Sequence, residues 1–134
     1  MPILLDSIAT IGPEHRGAVI VTGSHGGGSA AAFALAARPF AVIFNDAGVG
    51  KDRAGIAGLA LLEAAGIAAA TVAHTSARIG EAADSLENGV ISHTNATALR
   101  HGLGVGMSAA EAARLLETGS AARQTGNLAG QRSS

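Results

Sequence analysis

Ala18-Val19-Ile20-Val21-Thr22-Gly23-Ser24-His25-Gly26-Gly27-Gly28-Ser29 decides how the rest of this chain is read. The first five residues are a short, apolar, β-branched run, which predicts a buried strand. The glycines predict a tight loop. Ser29 is the residue type that caps a helix, here an alanine-rich one to about Ala37, with Pro39 as its stop.

The same unit then recurs. Phe40 to Phe44 predicts a strand, residues 45–51 a loop, and Asp52 the cap of a helix over about Arg53 to Ala65 that ends at Gly66. Ile67 to Ala73 predicts a third strand and Val90-Ile91-Ser92 a fourth, with a helix over roughly Ile79 to Leu86 between them. Asn95 is placed to cap a short helix to His101. Ser108-Ala109-Ala110-Glu111 is a capping box that opens a helix to about Glu117, with Gly119 as its end.

Strand, loop, helix and strand in succession mean βαβ units and a parallel sheet. The expected fold is α/β: a three-layer Rossmann-like or flavodoxin-like sandwich. Its mostly parallel sheet has four or five strands, with Ile3 to Ile11 as a possible antiparallel edge strand. One domain is expected over residues 1–119, followed by a flexible tail or assembly arm over 120–134.

Composition narrows the function. The chain has 134 residues, enough for a core without disulfide or metal staples, and no cysteine, which removes thiolate nucleophiles and thiolate zinc sites. The net charge is −1 and the aromatics are three phenylalanines, so neither a cationic face nor stacking platforms for nucleic acid are present. No apolar run reaches the roughly 20 residues of a membrane helix, and the start has no signal-peptide pattern. A cytoplasmic protein is expected. Charged residues are 14%, against about 25% in typical soluble domains. So little charge on a small domain predicts burial of apolar surface in a homo-oligomer.

Ligands of open parallel sheets bind beyond the carboxyl ends of the strands. The residues expected there are Gly23, Ser24, His25, Gly26 and Gly27, then Asn45 and Asp46, then His74, Ser76 and Arg78, and finally His93 and Asn95. Three of the five histidines and one of the four aspartates fall in these positions, while the strands are almost free of polar groups. Loops are polar in general, and caps explain Ser29, Asp52 and Asn95. Capping does not explain a histidine after three separate strands.

Histidine with Asp46 and hydroxyls suits general acid–base or hydrolytic chemistry. The expected function is an enzyme, a hydrolase or lyase of a small carboxylate or amide, acting at the carbonyl of a polar or anionic substrate. Ser24, His25, Asp46, His74 and His93 are the catalytic candidates. Gly23, Gly26, Gly27, Asn45, Ser76, Arg78 and Asn95 are the substrate-binding ones. The glycine loop ahead of a helix would receive an anion or a developing oxyanion. Thr22-Gly23-Ser24-His25-Gly26 approaches a nucleophile elbow, with Thr22 in place of the first glycine. Arg78 would clamp a carboxylate, or else pair with Glu81.

No cofactor is required. The alternative is a divalent metal held by His25, His74, His93 and Asp46. A non-catalytic anion-binding or small-ligand module, or a subunit of a larger homo-oligomeric assembly, would use the same loops. Asn45 to Asp52 is no phosphate loop, because Asn45 and Asp52 replace the first glycine and the final hydroxyl. Gly102 to Gly106 lacks the spacing of a dinucleotide fingerprint.

Overall fold

The computed structural model describes residues 1–133, with side chains described through residue 123. Five strands form one sheet: β1 (Ile3–Leu5), β2 (Val19–His25), β3 (Ala41–Asn45), β4 (Ala68–Val72) and β5 (Ile91–Thr94). The helices are α1 (Gly28–Ala37), α2 (Gly58–Ala64), α3 (Ala82–Asn88), α4 (Ala96–Arg100) and α5 (Ala109–Ser133). The strands lie in chain order, β1 to β4 mutually parallel and β5 antiparallel to β4. This is an α/β sandwich of the Rossmann-like or flavodoxin-like kind, with a sheet between two helical layers.

Alternation along the central strands splits the core in two. Ile20, Val42, Phe44 and Ala69 face one side, where α1 and α2 cover them with Ala30, Ala31, Ala34, Leu59 and Leu62. Val21, Ile43, Ala70 and Val72 face the other, beneath Ala112, Ala113 and Leu116 of α5. Right-handed crossovers between sequential neighbours put every connection on one face, and α1 and α2 lie there together. The second face is closed by elements that follow β4. Because the strand order never reverses, the sheet has no switch-point crevice of the doubly wound type.

The antiparallel strand is at the opposite edge from the one expected. β1 runs parallel to β2, reached through two short 3-10 turns, Ile8–Thr10 and Pro13–His15. β5 is the antiparallel one because residues 74–89 leave and return at the same end of β4, where the Ala73 N–H donates to Val90 O. α3 has 7 residues. α2 also has 7 residues and joins the parallel strands β3 and β4, so helix length does not set the direction of β5. α3 packs toward β1 and β2, and the chain re-enters the sheet beside Ala73.

Several expected boundaries move for local reasons. α1 starts at Gly28 with Gly27 as its cap, so Ser29 is inside the helix. Asp52 caps nothing and has a φ of 57°, and α2 begins only at Gly58. α3 starts at Ala82, with Glu81 as its cap. α5 passes through Gly119, where an added Cβ would meet His101 Nδ1 at 2.7 Å and Phe40 Cζ at 3.3 Å. That glycine permits close packing and does not end the helix. The expected tail over 120–134 lies, from residue 124 on, outside the residues with described side chains. The caps at Asn95 and Ser108 are in place: Asn95 accepts from the Ala98 N–H and Ser108 from the Glu111 N–H.

Three glycines allow the segment between β3 and α2 to lie on the loop after β2. Gly26 N–H donates to Asn45 O and Gly55 O, and Gly58 N–H donates to Gly26 O. A Cβ on Gly55 would collide with the carbonyl of Asp46, and one on Gly58 would sit 2.6 Å from Gly27 O. A Cβ on Gly28 meets nothing within 4 Å. Gly55→Ala should therefore destabilise the fold by at least about 1–3 kcal/mol, the usual range for overpacking. Gly28→Ala should be neutral or stabilise by up to about 1 kcal/mol. Urea unfolding of the two variants checks the contrast.

Candidate functional site

Asp46 is the first residue beyond β3, and its N–H continues the ladder by donating to Val72 O at 2.9 Å. It is buried, at 5% exposure. One carboxylate oxygen, Oδ1, accepts from the Gly48 N–H at 2.8 Å and the His74 N–H at 3.0 Å. Two imidazoles face the same carboxylate: His74 Nδ1 lies 3.4 Å from Oδ1 and His93 Nδ1 4.0 Å from Oδ2. The His74 side chain is half exposed and that of His93 one-third exposed. Burial pushes the Asp46 carboxyl up. The bonds from Gly48, Ser92 and His74 and the charge of His74 outweigh burial, so the net pKa lies below the ordinary 3.8.

His93 reaches this point through a bulge. Val72 pairs with Ile91 and Thr71 with His93, so Ser92 is an extra residue on β5. Ser92 and His93 are thereby set beside Thr71. Thr71 Oγ1 lies 2.9 Å from Ser92 Oγ and 3.3 Å from His93 Nδ1, and the two β5 side chains are 3.2 Å apart. Thr71 is fully buried, so its hydroxyl ties this cluster to the core. Thr71 and Ser92 were not among the expected site residues. The signal available for Thr71 was its place as the sole polar residue in the run Ile67 to Ala73.

The loop after Asp46 is strained. Ala47, Val49, Asp52 and Arg53 hold positive φ, between 51° and 67°, beside Gly48 and Gly50. Such conformations cost roughly 1–3 kcal/mol per non-glycine residue and gather at functional sites. Gly48 lies against the His74 ring: a Cβ there would sit 3.4 Å from Cε1.

The remaining expected residues have other duties. Ser24 Oγ accepts from the Ile8 N–H at 2.9 Å, and no described hydrogen bond joins it to a histidine. His25 pairs across the sheet with Asn45, so it sits one strand away from Asp46, and its Nδ1 accepts from the Gly27 N–H. The Gly26 and Gly27 N–H groups are thus already bonded, and Gly23 O accepts from the Gly80 N–H. Asn45 is fully buried, donates to Ala77 O and accepts from the Ala47 N–H. Ser76 donates to Ala73 O and accepts from the Val90 N–H. Arg78 is exposed and pairs with Glu81 at 3.8 Å.

Asn95 is a correction. Because β5 runs antiparallel, its carboxyl end points away from the mouth. Asn95 is buried at the far end, bonded to the Ala69 N–H and to Leu59 O and Ile67 O. The metal alternative also loses its ligand set. Among the described residues no group of three or more histidines and carboxylates is arranged to hold a metal ion. No helix among them is long and apolar enough to cross a membrane. No family model, curated protein or solved structure matches the chain.

Asp46 links the site to stability. Its folded-state pKa is lowered, so its stabilising effect is complete above the ordinary value of 3.8 and is lost as pH falls through the folded value. The stability difference between the wild-type protein and Asp46→Asn should be constant above about pH 5 and shrink below about pH 4. Asp46→Ala, which leaves the Gly48 and His74 N–H groups without an acceptor, should lose about 1–3 kcal/mol. Denaturant titrations across pH measure both.

Proposed function

We propose that the cluster of Asp46, His74 and His93 is a general acid–base site that acts on a small polar or anionic carbonyl compound. One observation carries the reading: a buried carboxylate faces two partly exposed imidazoles delivered by two other strands. An Nδ1 turned to a carboxylate fixes the ring and stabilises its protonated form. Nε2, on the far side of the ring, is left to exchange a proton with a bound molecule. His74 is the nearer and more exposed of the two. In this reading its Nε2 takes a proton from water attacking the carbonyl, or from the carbon beside it, and returns one to the leaving group or product. His93, steadied by Thr71 and Ser92, serves as the second proton carrier. The strained loop over 47–53 supports the same reading, since it holds Gly48 against the His74 ring.

Ser24 has no part in this mechanism, because its hydroxyl lies on the Ile8 N–H and lacks a histidine base. Acid–base chemistry, as in a lyase or a water-activating hydrolase, is favoured over a serine nucleophile. His74→Ala should lower turnover of small carbonyl substrates by about 10²–10⁴-fold while the protein stays folded. Unchanged turnover would remove His74 from the mechanism. Stabilisation of the wild-type protein by small carboxylates, with no turnover of any of them, would favour a non-catalytic binding module.

The proposal includes a homo-oligomer. On the outer side of α1 and α2, Ala32, Phe33, Ala36, Ala60 and Leu61 are exposed, and the sole charged residue of the two helices is Glu63. A helix that is apolar on all sides is normally covered. Light scattering should give a mass above that of one chain, and Phe33→Glu should reduce it. A monomer at all concentrations would overturn this part.

A further inference from the structure

We propose that the cavity at the amino-terminal end of the sheet, opposite the Asp46 cluster, is a binding site for a phosphate or phosphate-monoester group. The cavity measures about 280 Å³ and is lined by the residues that enter β2, β3 and β4 and by one turn of α5. Arg16, Arg38 and Arg123 line it, and no carboxylate does. The other arginines with described side chains that form ion pairs are Arg78 with Glu81, Arg100 with Glu63 and Arg114 with Glu111. None of the three cavity arginines has an acidic partner among the described residues. In a chain with 9 cationic residues and a net charge of −1, three of them meeting at one cavity is a local concentration of positive charge.

The backbone holds this arrangement at a disadvantage. Arg38 is the C-cap of α1 with a φ of 54°, in the left-handed region that glycine adopts freely. Gly17 N–H donates to Arg38 O, which joins the Arg16 turn to this cap, and Ser120 Oγ donates to Gly17 O, which joins α5 to both. Arg123 lies over the Phe40 ring at 5.9 Å.

The ends of α1 and α2 at this cavity contribute about half a negative charge each. That accounts for one guanidinium and leaves two uncompensated. Guanidinium forks match oxyanions bidentately. Three of them suit a tetrahedral phosphate, with oxygens on several sides, better than a planar carboxylate. The guanidiniums are exposed, so binding should weaken with salt.

Calorimetric titration of the full chain at low ionic strength tests this, with inorganic phosphate and glycerol phosphate as separate probes and acetate as a competitor. Arg38→Gly removes one cation and relieves the backbone, so it keeps the fold. It and Arg123→Gln should each lower phosphate affinity tenfold or more. Arg114→Gln, an exposed site elsewhere, and His74→Ala should leave it unchanged, the latter separating this site from the acid–base cluster. Tighter binding of glycerol phosphate than of phosphate would identify the monoester as ligand, and the reverse order the free ion. Absence of binding at millimolar phosphate would overturn the proposal. So would equal affinity in Arg38→Gly and Arg123→Gln, or an equal loss in Arg114→Gln.

Discussion

The backbone contact between the loop after β2 and the segment before α2 is the constraint from which the rest of this structure follows. The Gly58 N–H donates to Gly26 O, the Gly26 N–H donates to Gly55 O, and Gly55 lies against the carbonyl of Asp46. Side chains at these points would push the two segments apart. With them absent, α1 and α2 pack against each other, and the alanines of α1 lie close on a sheet face that carries Ile20, Val42 and Phe44. The segment from Asp46 to Gly58 is then clamped at both ends. Its left-handed residues are held in place because the flanking contacts leave the chain no relaxed path.

The same clamp explains why the carboxylate of Asp46 is charged although buried. Two backbone N–H groups reach one oxygen, one of them from Gly48 inside the clamped loop and one from His74 beyond the neighbouring strand. Desolvation alone would favour the neutral acid. The bonds reverse that, and a fixed negative charge at the strand mouth then orients the imidazoles. The bulge on β5 completes the arrangement by setting Ser92 and His93 beside Thr71.

Much of the fold was legible in the sequence, because burial imposes its own pattern. Ala18 to Thr22 and Phe40 to Phe44 are apolar on both faces, as strands covered by helices on both sides must be. The caps at Asn95 and Ser108 are local hydrogen bonds and read correctly. Gly119 and Asp52 did not. A glycine needed for close approach has the same letter as one that ends a helix. An aspartate ahead of a helical pattern looks like a cap until the chain is required to stay irregular as far as Gly58.

The sequence alone determined the class of fold, since hydrophobic periodicity and turn residues are properties of neighbours along the chain. It also marked the polar residues that follow the strands. Only the tertiary structure decided which of them meet. Asp46, His74 and His93 converge because β3, β4 and the bulged start of β5 are adjacent. Asn95, two residues after His93, lies at the far end because β5 runs the other way. Strand direction depends on whether the chain, after α3, comes back beside the near end of β4 or its far end. That is a question of distance in space, which the order of residues does not carry.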